Sequence, residues 1–143
     1  MNEVVNIVTS EQIERLQEEM SKYEQYEPIT NHYFHGGMYC REVTQDADVL
    51  VVGKVHKKEH FFMVAEGLIR VNTDSGMLDA GAGTLIMSKP GAKRAILSLT
   101  PARYMTFHRL DEMTIEQAEA ELVEDDPKSM FLVGNKKRQE VLT

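Results

Sequence analysis

Cysteine is nearly absent from this chain: Cys40 is the only one in 143 residues. No internal disulfide can form, and a reducing compartment, the cytoplasm, is the natural setting. Tryptophan is missing altogether, although 42% hydrophobic and 27% charged residues are ordinary proportions for a globular protein. Basic residues are in the minority, 16 lysines and arginines against 23 acids, for a net charge of −7. That balance argues against general nucleic-acid binding, which needs a basic footprint. No stretch approaches the roughly 20 apolar residues of a membrane span. The opening "MNEVVNIVTS" lacks the basic region and long apolar run of a signal peptide. We therefore expect a soluble cytoplasmic protein with no membrane partner. A chain of this length buries about two-thirds of its unfolded surface around a single core.

Helical patterns occur only at the two ends. "TSEQIERLQEEMSKYEQY" opens on a capping box, Thr9 with Gln12, in which side chain and backbone satisfy each other's orphan groups. Ile13, Leu16, Met20 and Tyr23 follow at helical spacing. "TIEQAEAELVEDDP" repeats the device with Thr114 and Gln117, carries Ile115, Ala118 and Leu122 as its apolar stripe, and stops at Pro127. Both stripes are narrow, so each helix is expected to lie against something larger. The organisation read from this is a helical extension over 1–27, a β-domain over 28–110, and a helix with a tail over 111–143. The tail holds an apolar patch, Met130 to Val133, then a basic run; docking back, contacting another subunit and staying loose all remain open.

Between the helices the chain reads as strands. "MYCREV", "VLVVGKVH", "FFMVAEGLIRVNT", "GTLIMS", "RAILSL" and "RYMTFHRL" are rich in β-branched and aromatic residues. Gly, Asp and Pro clusters punctuate them. At least six short, closely spaced strands without helices between them predict a β-barrel or sandwich. "ITNHYFHGGMY" reads as a turn leading into the first strand, with His32 and His35 three apart and so on opposite strand faces.

One segment carries chemistry. "GKVHKKEHFFMVAEG" holds His56 and His60 with Glu59 beside the second. The same H-x-x-E-H order occurs on helices of zinc peptidases, where the glutamate shares the histidines' face. Here the β-branched and aromatic flanks predict a strand, which would point Lys54, His56 and His60 one way and Glu59 the other. Glu59 is then expected to face solvent or pair with a lysine. "AGAG" after Asp79 is a turn, having no strand–loop–helix context for phosphate. Cys40, in a strand without an evident base beside it, reads as a small buried residue.

Gly53 to Gly91 resembles the cupin superfamily. The first cupin motif places two histidines one residue apart, a glutamate three or four residues on, and a glycine after six more. Counting back from Gly67, His60 takes the glutamate's place, His56 that of the second histidine and Lys54 that of the first. In the second motif Gly83 and Gly91 match, Lys89 replaces the proline and Arg94 stands at the histidine position. The chain is similar as well to small cupin-like proteins of bacteria and their phages that share H-x-x-E-H and P-G-x-K-R, a likeness that names no reaction. The resemblance implies a double-stranded β-helix, a jelly-roll barrel, with the two helices appended. Cupins host oxygenases, isomerases, decarboxylases, storage proteins and sugar-binding transcription factors, so the fold leaves the activity open.

Two readings of the cavity follow. In the first, His56 and His60 are joined by His108, at the end of the last strand, and hold a divalent transition metal: zinc, iron, nickel, manganese or copper suits such a set. Lys54 and Arg94 offer no lone pair and cannot be ligands. In the second, no metal is present. Lys54, Arg94, Lys93 and Lys89 make the cavity positive and bind an organic acid, sugar phosphate or nucleotide, arginine's planar fork suiting carboxylate or phosphate. Either way the partner is a small molecule, transformed or only held. The two amphipathic helices and the tail patch leave apolar surface that predicts a homodimer or larger ring.

Overall fold

The computed structural model describes residues 9–137. The elements run α1 (Ser10–Met20), β1 (Ile29–His35), β2 (Met38–Gln45), β3 (Leu50–Val52), β4 (His60–Glu66), β5 (Leu68–Thr73), β6 (Gly76–Gly81), β7 (Leu85–Ser88), β8 (Ala95–Ser98), β9 (Ala102–Arg109) and α2 (Ile115–Leu122), then a 3₁₀ turn at Val133–Asn135. Two antiparallel sheets face each other, one ordered β1-β2-β9-β4-β7 and the other β3-β8-β5-β6. This is the expected jelly-roll. Among the described residues no helix is long and apolar enough to cross a membrane.

One predicted turn and two predicted strands differ from the structure. "ITNHYFH" is itself a strand: β1 pairs with β2 from Ile29 opposite Thr44 to His35 opposite Met38. Its turn is the pair Gly36–Gly37, both at positive φ, the conformation that a tight hairpin requires. Asparagine and two histidines mask the β-formers Ile, Thr, Tyr and Phe between which they stand. "FFMVAEGLIRVNT" breaks at Gly67, where the chain leaves the five-stranded sheet for the other. Gly67 sits at φ +80, and a Cβ there would lie 2.1 Å from the Pro101 carbonyl oxygen. Finally, "VLVVGKVH" is a strand only over Leu50–Val52, so Lys54 and His56 lie beyond its end.

The main core fills the space between the sheets, with Val43, Phe62, Val64, Ile69, Val71 and Tyr104 at its centre. Both helices lie on larger apolar surfaces, as their narrow stripes require. The Thr9 capping box forms, and Ile13 of α1 packs with Val51, Val52 and Ala95; Tyr23 falls after the helix and is exposed. Ala118 and Leu122 of α2 pack on Tyr39 and Leu110. The tail docks back: Met130 and Phe131 join the α1 cluster, while Leu132 and Val133 stay half-exposed.

Candidate metal centre

Alternation along each strand sorts residues into an inner and an outer face, and register stacks the inner ones in rows across the five-stranded sheet. Phe34, Tyr39 and His108 are successive partners on β1, β2 and β9. At the same level on β4 stands His60, opposite Ser88 of β7. One row deeper lie His32, Arg41, Thr106, Phe62 and Ile86. Below them, Val43, Tyr104 and Val64 belong to the core. The histidine row is thus the layer nearest one end of the barrel.

His56 reaches this layer from outside both sheets. Its amide donates to the Ala92 carbonyl at 2.9 Å and its carbonyl accepts from Gly91 at 2.8 Å. On its other side it forms a single bridge with Val123, at the end of α2. The turn glycine of the second motif and the last turn of α2 therefore pin His56 against His60 and His108. The shared strand face expected for His56 and His60 is replaced by convergence of a loop and a strand.

The three rings form a cluster. Centroid separations are 4.2 Å for His56–His60, 4.7 Å for His60–His108 and 5.6 Å for His56–His108. One ligand nitrogen from each lies within 4.8 Å of the others, and each residue is at most 7% exposed. Burial is the largest influence on all three and holds them neutral, His56 down to about 2 and His108 to about 3, with His60 lowered as well. The positive charge of Arg41 adds to the effect on each. Neutral imidazoles keep the lone pairs that a metal needs.

Hydrogen bonds outside the cluster orient the rings. His60 Nδ1 faces the Lys58 carbonyl oxygen at 3.1 Å; a carbonyl only accepts, so Nδ1 carries the proton and Nε2 the lone pair. His108 Nε2 lies 2.9 Å from Thr106 Oγ1. Such anchoring of one ring nitrogen is how proteins aim the other at an ion. His56 Nδ1 is buried with no partner, which costs about 1–3 kcal/mol unless something binds there. A transition metal fits this set by donor chemistry and by that orphaned nitrogen. A groove of about 570 Å³ lined by Lys57, Glu59, Pro90, Arg109, Asp111 and Leu122 lies beside the segments that carry the histidines.

The cations read from sequence separate. Arg94 is buried and close enough to the triad to lower His56 and His60. Its Nη1 donates to the Asn72 carbonyl at 2.6 Å and its Nη2 to Ser88 Oγ at 2.8 Å, while Nε has no partner. Lys93 pairs instead with Asp126 at 3.3 Å. Lys54 is half-buried in the segment that leads to His56, and Glu59 is exposed. His32 holds Tyr39 Oη at 2.6 Å through Nδ1, and His35 is exposed at the end of β1. Cys40, expected to be buried, lies on the outer face of β2 and is half-buried; burial and then the Glu42 charge raise its thiol, which makes it a poor nucleophile.

Arg41 was missed. It stands on the inner face between Tyr39 and Val43, in the row beneath His108. The string "MYCREVTQ" conceals this, because its apolar residues fall on both faces: Tyr39 and Val43 on one, Met38 and Cys40 on the other.

No protein-family model and no curated protein sequence matches the chain. Solved structures do. Salicylate 1,2-dioxygenase from Pseudoaminobacter salicylatoxidans superposes with a TM-score of 0.56 at 11% identity, covering 79% of this chain and 34% of that one. A cupin superfamily protein from Desulfitobacterium hafniense DCB-2 gives 0.51 at 12% identity, over 64% of this chain and 86% of its own. The cupin domain of an XRE family transcriptional regulator from Enterobacter cloacae gives 0.50 at 10%, over 57% and 95%. An enzyme and a regulator share the likeness, so it speaks to the fold alone: the fold is cupin-like.

Proposed function

We propose that this cupin-fold protein is a metalloprotein whose centre is His56, His60 and His108, and that it binds or acts on a small molecule beside the ion. The observation that carries the reading is the buried cluster itself: three neutral imidazoles with ligand atoms within 4.8 Å and an orphaned Nδ1 on His56. Four-coordinate or larger transition ions held by three histidines keep positions open for water or substrate and act there as Lewis acids. Zinc, iron, nickel and manganese are the candidates, imidazole suiting the first three best. The residues around the triad do the rest: Lys58 and Thr106 orient two rings, and α2 with the 89–94 turn fixes the third.

The metal-free alternative, an anion pocket held by Arg94 and Lys54, has weaker support because Arg94 already spends both terminal nitrogens on Asn72 and Ser88. Elemental analysis of untagged protein decides between the two. We expect near-stoichiometric metal in the wild type and loss of most of it in His56→Ala, His60→Ala and His108→Ala, each of which leaves two imidazoles that cannot fix a tight site. Absence of metal after reconstitution with all four ions would end this reading.

A further inference from the structure

Arg41 lies one cross-strand row below His108, between Tyr39 and Val43, which are each 2% exposed. Its partners in that row are His32 and Thr106, with Phe62 and Ile86 completing it. Among the described residues Arg41 makes no ion pair and no side-chain hydrogen bond, and its Nε is sealed from solvent with nothing to accept from it. Its charge nonetheless reaches His56, His60, His108 and His32. A second guanidinium, Arg94, stands close to His56 and His60, again with an unpartnered buried Nε.

The charge close to the triad is mostly positive: Asp74 is the acid that acts on the buried Arg94, and the half-buried Arg41 has no acid paired with it among the described residues. The imidazoles are neutral, two guanidiniums are present, and arginine does not lose its proton in proteins. The one buried acid among the described residues, Glu119, accepts from the Gly134 amide and pairs with neither arginine. A guanidinium N–H sealed from solvent without an acceptor is unfavourable. The half-buried Arg41 and the buried Arg94 each carry one at Nε, and a ligand can supply the missing acceptor.

We infer that this centre takes a small carboxylate, whose oxygens accept from Arg41 beside the ion held by the three histidines. A carboxylate is the class that fits. Arg41 offers one free planar fork, the geometry of bidentate carboxylate recognition. Arg94, held by Nη1 on the Asn72 carbonyl and Nη2 on Ser88 Oγ, adds its unpartnered Nε as a further donor. Phe62 and Ile86 give the same layer an apolar wall, suited to the body of an organic acid. The inference names the ligand of the proposed metal centre and rests on that reading for the ion alone.

The test uses zinc-loaded protein, zinc having no redox chemistry of its own. Titration calorimetry with acetate, pyruvate, oxalate and benzoate is set against acetamide and benzamide as neutral isosteres, and against inorganic phosphate. We expect a carboxylate to bind at least tenfold more tightly than its amide and than phosphate. Arg41→Gln should weaken it at least tenfold while zinc content stays at the wild-type level. Unchanged affinity in Arg41→Gln, equal binding of the amides, preference for phosphate, or no carboxylate binding overturns the inference. Arg41→Met supplies a readout that a merely structural arginine would not give: removing a guanidinium whose sealed Nε has no acceptor should raise the Tm of the ligand-free protein, and a fall in Tm counts against the proposal. The metal reading fails separately, through zinc content; carboxylate binding retained in zinc-free His56→Ala protein leaves Arg41 its role and removes the ion.

Discussion

At the scale of single residues, this centre is a set of histidines kept from protonating. Each is lowered from 6.5, chiefly by burial, so the unfolded chain takes up protons that the folded chain refuses. The sign follows: stability is fully present above pH 6.5 and is lost as pH falls towards the folded values, about 3 for His108 and about 2 for His56. Each histidine contributes a slope of up to about 1.4 kcal/mol per pH unit in that window. Metal-free protein should therefore lose denaturant resistance steeply between pH 6 and pH 4, and His56→Phe with His108→Phe should flatten the profile. An equally steep profile in the double variant would assign acid sensitivity to other groups. Much of the triad was legible in sequence, because His56 and His60 occupy two registered positions of the cupin motif and His108 closes a strand. Arg41 was not, since a lone arginine in a strand with apolar residues on both faces gives no sign of which face is inner.

At the scale of elements, the site depends on two devices. The first is Gly67, which carries the chain from one sheet to the other against the Pro101 carbonyl. Backbone in the left-handed region and a contact that no Cβ can make both oppose substitution, so Gly67→Ala should cost at least about 3 kcal/mol in equilibrium unfolding. A loss under about 1 kcal/mol would mean that the turn relaxes and does not fix the barrel. Sequence supplied this glycine as a motif position but not as a strand break, because the residues on either side are equally β-prone. The second device is the clasp between the His56 segment and the end of α2. Lys57 N donates to Leu122 O at 2.7 Å and Glu124 N to Val55 O at 2.9 Å. An ion on His56 should hold this clasp shut, so metal loading should slow hydrogen exchange at the Lys57 and Glu124 amides at least tenfold, while the outer-edge amides of β1 stay unchanged. No difference between loaded and metal-free protein would detach α2 from the centre. That α2 closes over the site was not readable, since its pairing with residues 55–57 spans a long sequence distance without a periodic signal.

At the scale of the molecule, the apolar surface that suggested self-association has moved. The sequence pointed to the helices and the tail, yet Ile13, Leu122, Met130 and Phe131 are all buried within this chain. Leu132 and Val133 of the tail stay 45% exposed, but a broader set of exposed apolar side chains lies on the outer face of the five-stranded sheet. One cross-strand row there reads Tyr33, Cys40, Phe107, Phe61, Met87, and the next Asn31, Glu42, Met105, Met63, Leu85. Tyr33, Phe61, Leu85 and Met87 are 51%, 48%, 56% and 76% exposed. The neighbouring charges are already satisfied, with Arg103 bridging Glu42 at 2.9 Å and Glu66 at 2.8 Å, so a second copy meets little repulsion. Five strands about 4.8 Å apart and about seven residues long present a face of roughly 500 Å². With its rim, that approaches the roughly 800 Å² that each partner buries in a standard interface. A two-fold pairing of this face with itself needs no second surface, which makes a dimer the closed assembly to expect. Sedimentation at micromolar concentration should therefore give a dimer for the wild type and a monomer for Phe61→Glu with Met87→Glu, with metal content the same in both because the substituted side chains point away from the triad. A monomeric wild type, or a double variant that still dimerises, would leave the sheet face without a partner of its own kind.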